Sequence, residues 1–263
     1  MKQARENGKD LPVMMYLHGF MSGANGAKQR QLQKHFKGRW RVIAPELDAD
    51  PEKSLTVIDE LIERERPEII VGTSLGAWMA MMCRHGVAPL VLVNPVTAPQ
   101  EELARWLDEP QQYFCKRLDG VQTYTLTPEV LDKYGAYSTE EAIAFEGDSF
   151  HVLCSTNDDL LGDRHIRTLQ PWLSPERLMI VDDFGHQCRD AGLTHLFEIL
   201  EKLAVQHERP YIPGEFAIIT EEQREAKFRR LELQKQLEER GLTPKRQEWI
   251  DKIRKSIGDV NNG

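Results

Sequence analysis

Apolar residues along this chain fall into two alternating rhythms. Short unbroken apolar runs occur at Pro12-Val13-Met14-Met15-Tyr16-Leu17, Trp40 to Ala44, Glu68-Ile69-Ile70-Val71, Leu90 to Asn94, His151 to Ser155 and Arg177 to Val181. Runs of this length without alternation predict strands buried on both faces, as in a parallel sheet. Between them lie longer segments with apolar residues at helical spacing. Ala27 to Phe36 carries Leu32 and Phe36, and Pro51 to Arg66 carries Leu55, Ile58, Leu61 and Ile62. Ala77 to Met82 and Asp190 to Val205 complete the set. Strands alternating with helices predict an α/β fold, a mainly parallel sheet with helices on both faces.

The alternation breaks twice. After Ala98 the chain runs to about residue 148 before the next strand, far more than a crossover needs. This stretch holds Trp106, Tyr113, Phe114, Tyr124, Tyr134, Tyr137 and Phe145. It leaves the sheet at its C-terminal edge and is expected to form a small cap; a surface excursion with its own core is the alternative. The second break is His207-Glu208-Arg209-Pro210-Tyr211-Ile212-Pro213-Gly214, whose prolines and glycine mark a linker. Beyond it, Glu221 to Arg240 reads as a charged helix stopped by Gly241. Thr243-Pro244 then starts a second helix carrying Trp249, Ile250, Ile253 and Ile257. The expected domains are therefore 1–210, with residues 1–10 a loose leader, and 211–263, a helical hairpin. Its apolar stripes need a partner: the main domain, a second copy or another protein.

Composition narrows the classes. A formal net charge of -8 gives no sign of a dedicated nucleic-acid binder. No stretch approaches the roughly 18 apolar residues of a membrane span. The four cysteines, Cys83, Cys115, Cys154 and Cys188, have neither CxxC spacing nor a disulfide framework, which suggests free thiols in a cytoplasmic setting. No Cys, His and carboxylate cluster has zinc spacing, so neither metal nor cofactor is expected.

Chemistry concentrates at Gly72-Thr73-Ser74-Leu75-Gly76, set between a predicted strand and a predicted helix. Gly-x-Ser-x-Gly in that setting is a nucleophile elbow, with Ser74 lifted above the sheet and a helix N-terminus aimed at it. A serine hydroxyl needs a base, and the base a carboxylate that holds its tautomer. On such folds the order is serine, acid, histidine, on successive strand-end loops. His186, in Asp182-Asp183-Phe184-Gly185-His186, is placed as the base. The acid comes from Ser155-Thr156-Asn157-Asp158-Asp159. Adjacent residues point in different directions, so only one of Asp158 and Asp159 faces His186; Asp158 is preferred. Asp163 reads as an N-cap, and Asp182 and Asp183 as turn carboxylates. For an oxyanion, Leu75 N–H is one donor and Phe20 N–H the other, with Met21 the near alternative. Ser22 either adds a hydroxyl or caps the next helix.

Leu17-His18-Gly19-Phe20-Met21-Ser22, the elbow, Val93-Asn94-Pro95, Thr156-Asn157-Asp158-Asp159-Leu160-Leu161 and Gly185-His186 together resemble the YqiA/YcfP-type small esterases, a branch of the α/β-hydrolases. The likeness spans roughly residues 13 to 205. It implies an α/β-hydrolase fold with Ser74 as nucleophile, Asp158 as acid and His186 as base. Met21, Trp106 and Phe184 are expected to line the substrate site, Phe184 making it more apolar. The expected reaction is cleavage of a small-molecule carboxylic ester or thioester through an acyl-enzyme. Two rivals are a scaffold acting through residues 211–263 and a peptidase or amidase on the same triad.

Overall fold

A computed structural model describes residues 11–86 and 88–206. The expectations for residues 1–10, the linker after Gln206 and the C-terminal helical hairpin lie outside the described residues. Within them the order is β1 (Val13–Leu17), α1 (Ala27–His35), β2 (Arg41–Ile43), α2 (Pro51–Glu65), β3 (Ile69–Thr73), α3 (Leu75–Met82) and β4 (Leu90–Val93). An insertion follows, holding α4 (Pro99–Leu103), β5 (Pro110–Gln112), β6 (Thr123–Thr125), α5 (Pro128–Lys133) and α6 (Thr139–Glu146). The main pattern resumes with β7 (Phe150–Ser155), α7 (Arg164–Leu169), β8 (Leu178–Val181) and α8 (Ala191–Gln206).

Six strands form one sheet in the order β2-β1-β3-β4-β7-β8, and every pairing in it is parallel. Successive strand side chains face opposite sides, so β1 serves two cores. Met15 and Leu17 join Ile70, Leu92 and Trp78 on one face, under α2, α3 and the insertion. Met14 and Tyr16 join Leu32, Phe36, Leu196 and Leu200 on the other, under α1 and α8. Tyr16 is the polar exception: its hydroxyl lies 3.0 Å from Thr73 Oγ1, so the buried phenol is satisfied. Helix α2 starts as its sequence dictates, with Pro51 at the first position and the Asp50 carboxylate accepting Glu52 N–H at 3.0 Å.

The insertion is pinned to the sheet side by specific contacts. Tyr134 is buried, donates to the Ala49 carbonyl at 2.5 Å and packs 5.0 Å from the Trp78 ring. The Trp78 indole N–H bonds Thr139 Oγ1 at 3.0 Å, and Tyr137 meets the same indole edge-on. Lys133 reaches Asp50 at 2.7 Å. At the antiparallel β5–β6 end, Arg117 is 6 % exposed and donates to the Leu47 carbonyl at 2.9 Å and to Asp119. Phe114 N–H bonds the Met21 carbonyl at 2.8 Å, which sets this hairpin against the loop after β1.

Candidate active site

Ser74 occupies a backbone conformation that L-residues seldom adopt, φ 55° and ψ -122°. Its surroundings hold it there. Ser74 N–H donates to Val93 O at 2.9 Å, and the Ser74 carbonyl accepts from Val96 and Trp78 N–H, both at 3.2 Å. The turn leaves no space for side chains on either flank. A Cβ at Gly72 would lie 2.5 Å from Ala77 Cα, and one at Gly76 would collide with the carbonyl oxygens of Leu17 and His18. Glycine at both places is therefore a steric requirement of the strand-to-helix crossing.

Two neighbouring strand ends supply the partners. His186 Nε2 stands 3.0 Å from Ser74 Oγ, and its Nδ1 stands 2.8 Å from Asp158 Oδ2. A carboxylate only accepts, so Nδ1 carries the proton and Nε2 is left to accept from the hydroxyl. Asp158 is 4 % exposed, and its other oxygen accepts Leu160 N–H at 2.9 Å and Leu161 N–H at 2.7 Å. Burial pushes this carboxyl upward, but the His186 bond and those backbone donors together hold it below the ordinary range. Asp159 has a separate place: it is exposed and takes the backbone N–H of His186 at 3.4 Å. Asp163 sits at the start of α7 without a side-chain cap bond and pairs with Arg167 instead. Asp183 pairs with His195 at 2.9 Å.

Leu75 opens α3, so its N–H has no carbonyl within the helix to bond. Phe20 and Met21 are the middle of a turn closed by Ser22 N–H to Gly19 O at 3.3 Å, with Met21 at φ 56°. The turn is pressed onto the serine: a Cβ at Gly19 would lie 3.1 Å from Ser74 Cβ. His18 secures it from below. Its Nδ1 bonds the Gly19 carbonyl at 2.9 Å and its Nε2 takes Leu47 N–H at 3.0 Å. Those partners require the neutral Nδ1–H tautomer, and burial pushes the imidazole down to about 4. Ser22 does not cap α1, whose cap position is Gly26.

Beside Leu75 and this turn lies a narrow apolar cleft, lined by Phe20, Met21, Leu47, Ala49, Met79 and the insertion's Tyr113, among others. Met21 is part of this wall. Phe184 and Trp106, also expected to line a substrate site, are not. Phe184 is 5 % exposed and belongs to the α8-side core with Cys188, Leu193 and Leu196, on the far side of the sheet from the cleft. The reason is Gly192, where any side chain would strike the Phe184 ring at 2.7 Å; the helix opens a slot that the ring fills. Trp106 packs against the insertion-side core, with Arg105 5.9 Å from its ring, and is not part of the cleft wall.

Asn94 bridges the chain segments that carry Asp158 and His186, a link its place in the Val93-Asn94-Pro95 motif did not disclose. Fully buried at φ 40°, it accepts Ser155 N–H at 2.8 Å and donates to the carbonyls of Gly185 and His186 at 3.3 and 3.4 Å. It ties the acid strand to the histidine loop. Asn tolerates a positive φ better than most residues, and an Asn-Pro strand end was the available signal. Among the described residues no group of three or more His, Cys, Asp or Glu could hold a metal ion. None of the described helices is long and apolar enough to cross a membrane.

The sheet order, the strained serine turn and the loops beside it define an α/β-hydrolase fold. The chain belongs to the uncharacterised protein family UPF0227, whose pattern matches residues 13–201, the family to which the resemblance of its motifs pointed. No curated protein matches it. Similar solved structures include Est1E from Butyrivibrio proteoclasticus, at 13 % identity and TM-score 0.57, covering 77 % of this chain and 90 % of that one. A putative hydrolase from Agrobacterium vitis S4 follows at 15 % identity and TM-score 0.56, over 74 % and 89 %. The Paleococcus ferrophilus monoacylglycerol lipase matches at 16 % and 0.52, over 74 % and 96 %. At such identities the likeness is one of fold.

Proposed function

We propose that this chain is a serine hydrolase of carboxylic esters or thioesters carrying an apolar acyl group. The observation that carries the reading is the relay from Ser74 Oγ through His186 to Asp158, with links of 3.0 and 2.8 Å. His186 Nε2 takes the hydroxyl proton as Oγ attacks the carbonyl carbon. The oxygen that becomes negative is met by the N–H of Leu75 and of Phe20, at the positive end of α3. His186 then gives its proton to the leaving alcohol or thiol, an acyl group remains on Ser74, and water activated by the same imidazole releases the acid. Asp158 holds the imidazole in the Nδ1–H tautomer and stabilises it when charged. The cleft beside Leu75, walled by Phe20, Met21, Leu47 and Met79, would take the acyl chain. That fold neighbours are named an esterase and a lipase supports the reaction class by analogy only. The reading includes a reducing, cytoplasmic setting for the four unpaired cysteines, and a homo-oligomer or protein partner through residues 211–263.

Labelling with a fluorophosphonate probe tests it. Wild type should label, and Ser74→Ala and His186→Ala should not. A folded wild-type protein that stays unlabelled, or a Ser74→Ala variant that labels equally, would sink the proposal.

A further inference from the structure

Several buried polar atoms near the proposed acid have no use in this chemistry. Glu102 in α4 is only 7 % exposed, yet neither carboxyl oxygen has a hydrogen-bond partner. His165 in α7 is fully buried with both ring nitrogens unpartnered, and Thr97 Oγ1 is in the same condition. These residues sit on the loops and helices that follow β4 and β7, adjacent strands of the sheet. Asp158 lies on the second of those loops, and its charge acts on both Glu102 and His165. A native fold seldom leaves so many buried polar atoms without a partner.

The cations nearby do not neutralise Glu102. Arg105 spends its Nε on the Glu102 backbone carbonyl at 2.9 Å and an Nη on the Leu160 carbonyl at 3.2 Å. Arg164 pairs with the exposed Glu101 instead. Both guanidiniums still act on Glu102 through space, as does Asp158 with the opposite sign. The turn after α5 meets α4 at Gln100, beside Gly135. Of two consecutive glutamates in α4, one therefore takes the ion pair at the surface and the other is buried, with Arg105 linking its backbone carbonyl to Leu160 on the acid loop.

We propose that Glu102 is a positioning residue for the Asp158–His186 pair, its carboxyl setting how firmly Asp158 holds the imidazole. The inference rests on the roles proposed above for those two residues. While protonated, Glu102 adds no charge near Asp158. Once ionised, it places a second negative charge behind the pair, which favours the charged imidazole and pulls the Asp158 hydrogen bonds toward a new balance. Burial, offset in part by Arg164 and Arg105, pushes the Glu102 carboxyl up to about 7, so the change falls in the range where a histidine base works.

The test compares wild type with Glu102→Gln, which keeps the shape and removes the ionisation. Between the ordinary carboxyl value of 4.5 and about 7 the folded wild type holds a proton that the unfolded chain has released, so its stability falls as pH rises across that window. Glu102→Gln should therefore melt higher than wild type at pH 8, and the gap should close by pH 4.5. The decisive readout is the titration midpoint of the His186 imidazole, followed by NMR on histidine-labelled protein. It should move to lower pH in Glu102→Gln and return toward the wild-type value in Glu102→Asp. An unmoved midpoint in Glu102→Gln overturns the proposal, whatever the melting curves do. Neither readout needs turnover: a chain that shifts its midpoint but fails to label at Ser74 would sink the hydrolase reading and leave the coupling standing.

Discussion

The two ends of the proposed active site are built on different principles. At the sheet edge, Ser74, Asp158 and His186 are held by backbone: glycines whose neighbours exclude a Cβ, Asn94 bridging two loops, and N–H groups closing on a carboxylate. The insertion is held mostly by side chains, such as Arg117 to Leu47, Tyr134 to Ala49, Lys133 to Asp50 and Trp78 to Thr139, beside the backbone bond from Phe114 N–H to Met21 O. Backbone packing fixes positions that chemistry needs to within a fraction of an ångström. Side-chain pins can be exchanged or released singly, which suits a part that decides what enters. The insertion also keeps Phe114 at 78 % and Leu118 at 74 % exposed, well beyond the 36 % of Ile180 in β8.

The sharpest break in this comparison removes one oxygen from the rigid end. Ser74→Ala should lower kcat by about 10⁶ while leaving the melting temperature within a degree or two of wild type. Loss of folding together with activity would mean that the hydroxyl is structural. Next comes the scaffold itself. Gly76→Ala drives a methyl group into the Leu17 and His18 carbonyls, backbone that cannot yield. The cost should exceed about 4 kcal/mol, seen as loss of soluble, cooperatively unfolding protein. A stable Gly76→Ala protein would show the elbow to be softer than its geometry demands.

The side-chain end should respond differently. Arg117→Ala removes a buried guanidinium from Leu47 O and Asp119 and from the face of Tyr113, 4.4 Å away. Stripping one partner from such a site costs about 3 kcal/mol, or roughly 6–12 °C in Tm for a domain of this size. Because Tyr113 is part of the cleft wall, KM should change more than kcat. A kcat loss with KM unchanged would place Arg117 with the rigid end instead.

This contrast also governs what could be read from sequence. The strands of the main sheet were legible because each is a short run rich in apolar residues; β1, β3 and β4 are buried throughout, and the outer strands β2 and β8 only in part. The elbow was legible because its glycines are dictated locally. Inside the insertion the signal fails: β5 and β6 are three residues each, with Tyr124 and Gln111 half-buried between exposed neighbours, and no apolar period marks them. Phe184 lies away from the cleft for a related reason. A phenylalanine two residues before His186 suggests a pocket wall, but the slot its ring fills is opened by Gly192 at the start of α8. Asn94 and Glu102 look like an ordinary strand-end residue and an ordinary first-turn acid. Only the tertiary partners of one, and the missing partners of the other, give them meaning.

The acid limb of the pH scale allows a further comparison, between a carboxylate at the sheet edge and one that anchors the insertion, with small effects on stability. Asp158 is pushed up by burial but held low by His186 and by Leu161 and Leu160 N–H. Asp50 is likewise pushed up by burial and held low by Lys133 and the first N–H groups of α2. Each folded carboxyl lets go of its proton more readily than the same group in the unfolded chain. The stability each contributes is therefore complete above the ordinary value of 3.8 and is lost as pH falls through the lower folded value. Asp158→Asn and Asp50→Asn should each flatten part of the acid limb of a plot of Tm against pH, with little change in its slope above pH 5. They should differ in what opens. Asp50→Asn should loosen the insertion, read as altered emission from Trp78 where Tyr134 and Tyr137 pack on it. Asp158→Asn should leave that emission alone and lower kcat by about 10⁴. If both variants changed the Trp78 signal equally, the insertion and the sheet edge would be one cooperative unit, and the division between a backbone-held site and a side-chain-held cover would fall.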